Sequence, residues 1–507
     1  MAGGDSLRRS GLLFFVSFVS LVLLAFLSGD AVATWAAQLS APAANAGALA
    51  PSQNQTAPSA PQIIAAKSQI SGQFTHTAKR GERVGSLVHT YLPQTTYMTA
   101  AELTSAIREA NGTRGNTIRP GQEVVIPGFE TAPILEKPIA VGRDFEVRAV
   151  YLTGAMASSE RGLRIINRWR QMGGNSVVFD IKDSDGVVNI PFQHPLNPPG
   201  RRPVIRNLPK LARYLHSLGM HSIARVAIFR DERLVKNFPD LAVHSARTGQ
   251  PWREKGKLVW TDPSRPEVQQ YNIALAAAAA KSGVDEVQFD YVRFPAEGDQ
   301  KDARFLFLTE HPQWKRSDVI THFLSKAYAQ MHSQGVLLSL DVFGVMAWQR
   351  PIDLSHIGQD IPAMALYCDV LSPMIYPSHF FGMDGYAHPG DAPEHFIGES
   401  MERFRKITNG SGVLLRPWLQ AFAWRTHTYS ADYIVRQVKV ARDKGGVGFL
   451  FWNARNDYGK PMVAMQTMES TPGRYFRGDE VGSAARTAAA EKAATPVLRP
   501  ANATQPQ

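Results

Sequence analysis

The chain has 507 residues, 44% hydrophobic, 9% aromatic and 20% charged, with 40 glycines, 33 prolines and a formal net charge of +11. That length and balance exclude a single ordinary domain, a collagen, a coiled coil, a polytopic membrane protein and a fully disordered chain. One cysteine, Cys368, excludes any intrachain disulfide.

Residues 11–27 form an apolar run broken only by Ser17 and Ser20, with Arg8 and Arg9 ahead of it. The run is longer than a signal-peptide core (~7–15 residues) and sits at the short limit of a membrane span (~17–25). Ala31-Val32-Ala33 then offers a small-residue cleavage site. Residues 1–33 therefore read either as a cleaved signal peptide or as a retained N-terminal membrane anchor. Basic residues before the run hold the N-terminus inside, so both readings export the remainder to the periplasm, the cell envelope or the medium. Residues 34–70, rich in Ala, Pro and Gln, lack the apolar surface to offset ordering and read as a disordered linker. Residues 482–507 read as a similar tail. Subtracting the +1 of residues 1–70 and the +1 of residues 469–507 leaves +9 on the middle. Such a charge suits anionic glycans or lipids, or simply solubility. There is no Lys/Arg run and no recognisable binding module for nucleic acid, so nucleic acid is not an expected partner.

Residues 71–130 predict a small α+β unit in the order strand, helix, helix, strand. Phe74-Thr75-His76-Thr77 alternates like a strand, residues 84–91 and 100–111 have helical periodicity, and Pro120-Gly121 turns into a last strand. Three pieces stand out: Thr77-Ala78-Lys79-Arg80-Gly81-Glu82, Glu109-Ala110-Asn111, and Ile118-Arg119-Pro120-Gly121-Gln122-Glu123-Val124-Val125-Ile126-Pro127. On these the unit resembles a LysM module. The resemblance implies binding of peptidoglycan or another N-acetylglucosamine polymer. The stretch 92–99 between the helices is longer than that family's pattern.

From residue 146 to 470 the chain alternates apolar strands with helices. Strands are predicted at 147–152, 176–181, 222–229, 286–294, 337–343, 370–376, 413–421 and 448–453. Helices are predicted at 159–172, 208–218, 266–281, 317–334, 394–408 and 430–444. Continuous apolar strands separated by helices mean a parallel sheet covered on both faces. Eight such units predict an α/β fold of the (β/α)8 TIM-barrel type, preceded by the small module.

Barrels place chemistry at the C-terminal ends of their strands, so polar residues inside these apolar strands are informative. They are Asp180, Lys182 and Asp183 on strand two, Arg225 on three, Asp290 and Arg293 on four, Ser339 and Asp341 on five. Tyr376 ends strand six, strand seven carries Arg416, Trp418 and Gln420, and Trp452 ends strand eight. Side chains alternate along a strand, so Asp180 with Lys182, Gln288 with Asp290, Ser339 with Asp341, and Arg416 with Trp418 and Gln420 are each expected to face the axis together. Opposed carboxylates serve glycoside hydrolysis, one as nucleophile or base and one as acid. Asp290 is the expected nucleophile and Asp341 the acid/base, with Asp180 beside them. Lys182, Asp183, Arg225, Arg293, Tyr376, Trp418, Gln420 and Trp452 are the expected substrate contacts and charge partners. Trp348 and Trp424 add aromatic surface near strand ends.

Residues 146–470 resemble a bacterial glycoside-hydrolase-like domain family of unknown function. The resemblance rests on Arg148-Ala149-Val150-Tyr151-Leu152-Thr153, Val178-Phe179-Asp180-Ile181-Lys182-Asp183, Phe289-Asp290-Tyr291-Val292-Arg293-Phe294-Pro295 and Ser372-Pro373-Met374-Ile375-Tyr376-Pro377. It implies a TIM barrel related to polysaccharide hydrolases, with Asp290 as the nucleophile at the end of strand four. No Glu stands at a strand end as an obvious acid.

No cofactor or metal is expected. Asp180, Asp183 and Asp185 do not continue as a calcium loop, and His379, His388 and His395 match no zinc spacing. The expectation is an exported hydrolase of a cell-envelope or extracellular polysaccharide. Its rival is an inactive barrel that binds glycan or scaffolds the envelope.

Overall fold

The computed structural model describes residues 72–477, apart from 198, 199 and 201. The apolar run, the linker and the tail lie outside the described residues. No helix among the described residues is long and apolar enough to cross a membrane.

The small unit comprises β1 (Gly72–Thr77), α1 (Val84–Tyr91), α2 (Ala100–Ala110) and β2 (Glu123–Phe129), the predicted order. β1 and β2 pair antiparallel. Thr99 caps α2 by accepting from the Glu102 amide, and Glu102 accepts in return from the Thr99 amide. Leu87, Leu103, Ile107 and Ile126 close a core of its own. The long stretch between the helices contacts the barrel. Lys210 Nζ donates to the Leu92 carbonyl at 2.6 Å, and Asn207 Nδ2 to the Pro93 carbonyl at 2.9 Å.

The barrel strands are β3 (Val147–Leu152), β4 (Ser176–Lys182), β5 (His221–Ala227), β6 (Glu286–Asp290), β7 (Leu337–Phe343) and β8 (Val370–Met374). β9 comes in two pieces (Leu414–Leu415 and Trp418–Gln420), and β10 is Gly448–Trp452. Each pairs in parallel with the next, and β10 returns to β3, so the sheet closes. At the seam Gly448 has φ +77°, and a Cβ there would lie 2.0 Å from the Val147 carbonyl oxygen. The (β/α)8 fold is thus the one that the alternation predicts.

Helices α3 (Glu160–Gln171), α4 (Leu208–Ser217), α5 (Pro266–Lys281), α6 (Arg316–His332), α7 (Pro393–Ile407) and α8 (Ala431–Asp443) fall within two residues of prediction. Helix α9 (Gly459–Glu469) and the short helices Pro351–Ile357 and Ile361–Met364 were not predicted, because prolines and short length blur their periodicity. The core has two layers. Phe179, Val226, Phe289 and Leu340 face the helices, whereas Val147, Ala149, Val178, Ile223, Trp418 and Leu450 fill the barrel.

A buried polar chain ties the segment after the small unit to the barrel's base. Glu136 Oε1 meets His216 Nδ1 at 3.0 Å, and His216 Nε2 meets Asp285 at 3.1 Å. Burial alone would depress this imidazole, but the charges of Asp285 and Glu136 outweigh it and hold the pKa up at about 9. A pKa above the ordinary 6.5 means that this contribution to stability is complete below pH 6.5 and is lost as pH rises through about 9. Melting temperature is therefore expected to fall across that window, and Glu136→Gln to shift the fall to lower pH. A melting temperature that is flat across the window would contradict the assignment.

Candidate active site

The site forms where β4, β5, β6 and β7 reach the C-terminal face. Arg225 on β5 stands in the middle of it. Its Nη1 donates to Asp180 Oδ1 on β4 at 2.5 Å, and its Nη2 donates to Asp290 Oδ2 on β6. Its Nε lies 3.6 Å from Asp341 Oδ2 on β7. One guanidinium therefore faces three carboxylates from three strands, as the polar positions of the sequence predict.

The three carboxylates differ in setting. Asp180 also accepts from the Tyr151 hydroxyl, and burial pushes its pKa up despite Arg225 and Tyr151. Asp341 accepts at Oδ1 from Trp418 Nε1 at 2.7 Å and is 1% exposed. Burial first, then the charge of Asp290, drives its pKa far above the ordinary carboxylate range, with Arg225 offsetting only part. Asp290 keeps an open edge, with 11% of its side chain exposed. Its Oδ1 accepts from the Tyr291 amide at 2.6 Å. Tyr291 has φ +55°, a left-handed conformation that is unusual for a bulky residue and stores strain directly beside Asp290.

Aromatic rings wall the cluster. Tyr151 stacks on Trp452 with centroids 4.1 Å apart, and Trp452 meets Trp418 edge-on at 5.7 Å. The Arg225 guanidinium lies 5.3 Å from the Trp452 ring centre. Burial, followed by the charges of Asp341 and Asp290, raises the Tyr376 phenol, which places that ring beside the pair.

Several expected contacts lie elsewhere. Lys182 does not share the axis with Asp180. A bulge lies between them, and Lys182 aligns with Val226, which packs on the helix side. There Lys182 pairs with Asp231 at 2.7 Å and donates to Asn272 Oδ1 at 3.0 Å. Arg293 is 2% exposed and lies between the Phe343 and Trp260 rings, 4.5 and 4.6 Å from their centres. Gln420 is fully buried, accepting from the Ser378 amide and donating to Thr426 Oγ1 and the Phe422 carbonyl, so it joins two loops. Trp418 is fully buried and serves Asp341 rather than a sugar face. Arg416 meets Glu286 at 2.9 Å lower in the barrel, away from the three aspartates. The loop histidines do not converge: His395 bonds Asp384, His388 packs on His427, and His379 lies against Tyr376 and Trp424. Trp348 packs on Phe380 and Arg403, and Trp424 under Arg425.

Two participants escaped the sequence reading. Tyr151 is inward by alternation from Val147 and carries a hydroxyl in an apolar strand. Glu286 shares parity with Gln288 and Asp290 but opens its strand, and it reaches the cluster only through its charge on Asp341.

Fold and site together define a TIM-barrel protein of the glycoside hydrolase type. Residues 149–458 match the family described as "Putative glycosyl hydrolase domain", and the chain belongs to that family. Among solved structures, a hypothetical protein from Ruminiclostridium thermocellum ATCC 27405 is 32% identical over 38% of this chain and 97% of that one, with a TM-score of 0.32. The PgaB (BpsB) glycoside hydrolase domain from Bordetella bronchiseptica is 15% identical over 66% of this chain and 99% of that one, with a TM-score of 0.49. The spore cortex-lytic enzyme SleL from Bacillus megaterium QM B1551 is 12% identical over 79% of this chain and 86% of that one, with a TM-score of 0.39. No curated protein matches the chain.

Proposed function

We propose that the protein is an exported glycoside hydrolase that cleaves glycosidic bonds of a cell-envelope or extracellular polysaccharide. The observation that carries this reading is the set of three carboxylates around Arg225 at the C-terminal end of a barrel of this family. Asp290, the carboxylate with an open edge, acts at the anomeric carbon as nucleophile or as base toward water. Asp180 and Arg225 fix its position and charge. Asp341, enclosed beside it, takes up a proton more readily than an ordinary carboxylate because of burial and the charge of Asp290. Tyr376 and Trp452 form apolar wall against which a sugar ring stacks.

Export rests on the apolar run after Arg8 and Arg9. The small module adds a hold on an N-acetylglucosamine polymer such as peptidoglycan, and an uncleaved run would add a membrane anchor. Phe74, which is 37% exposed and stacked on Phe129 at 4.8 Å, supports a glycan-facing surface there.

A second reading has its own support. Arg225 bonds both Asp180 and Asp290, which suits a glycan-binding barrel that no longer catalyses. A reducing-end assay across a polysaccharide panel, with wild type beside Asp290→Asn, separates the two. Release of reducing ends by wild type alone supports hydrolysis; binding without release by either protein leaves the inactive barrel.

A further inference from the structure

We propose that Asp183 is the proton donor to the leaving oxygen, the acid for which no strand-end Glu is present. The assignment rests on the glycosidase reading of the site.

The argument starts at the bulge in β4. Asp180 aligns with Arg225 on the axis side, yet Lys182 aligns with Val226 on the helix side. One extra residue, Ile181, has been absorbed between them. Side chains alternate, so the residue after Lys182 returns to the axis side. That residue is Asp183, the first residue past the C-terminal end of β4. Its charge is felt by both Tyr151 and Arg225, two residues of the cluster.

The local chain fixes it there. The Asp183 amide donates to the Val187 carbonyl at 2.9 Å, and the Gly186 amide donates to the Asp183 carbonyl at 3.0 Å. Gly186 sits at φ +91°, and a Cβ on it would lie 1.8 Å from Asp231 Oδ1. Asp231 in turn holds Lys182. The outward anchor of Lys182 and the tight turn after it thus aim Asp183 together. Asn189 Nδ2 donates to Asp183 Oδ1 at 3.0 Å and also reaches the Asp180 carbonyl.

The surroundings suit an acid. Asp180 on the same strand and Asp185 on the turn face it with like charge, and Arg225 on β5 is already bonded to Asp180 and Asp290. No Lys, Arg or His among the described residues pairs with it. Burial, then the charges of Asp180 and Asp185, raise its pKa to about 7. An acid there is half protonated at neutrality, the condition for giving a proton and regaining it. Unlike Asp341, it is only half-buried.

In the step, the Asp183 carboxyl proton passes to the glycosidic oxygen as the bond to the anomeric carbon breaks. The bond's electron pair stays on that oxygen, which leaves as a sugar hydroxyl. The anomeric carbon bonds either to the Asp290 carboxylate or to a water that gives its proton to Asp290. Where Asp290 bonds the carbon, a water that gives its proton to Asp183 then displaces Asp290 and restores the acid; where water attacks directly, Asp290 passes its proton to solvent and solvent returns one to Asp183.

The test uses the full chain, Asp183→Asn beside wild type, on polysaccharides and on dinitrophenyl glycosides of glucose, galactose and N-acetylglucosamine. A dinitrophenolate leaves without protonation. The variant is expected to lose about 10²–10⁴-fold on polysaccharide, the span of one acid, and under about tenfold on the aryl glycosides. Wild-type activity falls as pH rises through about 7, and that limb is absent in the variant. Carboxyl-carbon NMR should show one resonance that titrates near 7 in wild type and is missing in the variant. Equal losses on both substrate types, an unchanged polysaccharide rate, or an Asp183 carboxyl titrating near 4 would each overturn the assignment. If wild type cleaves nothing, the glycosidase reading falls and takes this assignment with it. If wild type cleaves and Asp183→Asn cleaves equally, only Asp183 falls.

Discussion

Replacing Arg225 with Met is expected to cost about 3–5 kcal/mol of folding stability, because it leaves buried carboxylates without their cation. Asp180 and Asp290 each lose a direct bond, and Asp341 loses the nearest positive charge. Met nearly fills the volume, so little of the loss comes from a cavity. The cost depends on pH. Burial already raises Asp180 and Asp341, and Arg225 opposes it, so without Arg225 these two take up protons more readily in the folded state than in the unfolded chain. Stability of the variant therefore falls as pH rises, and its deficit is larger near pH 8 than near pH 5. Urea unfolding at the two pH values measures this. A midpoint equal to wild type at pH 8 would mean that the three aspartates do not depend on Arg225.

Asp290→Asn is expected to abolish most hydrolysis and to spare the fold. The side chain keeps its shape, but only one oxygen remains for two donors, Arg225 Nη2 and the Tyr291 amide. Leaving one of them unsatisfied costs about 1–3 kcal/mol, which a domain of this size tolerates. Loss of the reacting carboxylate removes at least about 10²–10⁴ in rate. The variant carries a second signature. The charge of Asp290 helps to push Asp341 up, so Asp341 is expected to titrate at lower pH in Asp290→Asn. Rates within threefold of wild type would move the reaction away from Asp290. An unchanged Asp341 titration would separate the two carboxylates.

The two variants test different parts of one arrangement. Arg225 supplies the positive charge that three buried carboxylates share, and Asp290 is the one of the three with an open edge. Trp418 belongs with Arg225, since its indole N–H bonds Asp341 directly.

Sequence by itself determined the barrel. Eight apolar strands alternating with amphipathic helices have one economical closure, and continuous hydrophobic runs need cover on both faces. It also determined which strand ends carry charge, because a charged residue in a buried strand stands out against its neighbours. Asp180, Arg225, Asp290 and Asp341 were legible for that reason. The tertiary structure decided which of these charges meet. Period-two alternation assigns Asp180 and Lys182 to one face, yet one absorbed residue at Ile181 sends Lys182 out to Asp231. A bulge is a feature of the register between two strands, so one strand's sequence does not reveal it. Burial was decided at the same level. Asp341, Trp418 and Gln420 occupy strand positions like that of Asp290, yet Trp418 covers Asp341 and the loops carrying Ser378 and Thr426 enclose Gln420, while Asp290 keeps an open edge.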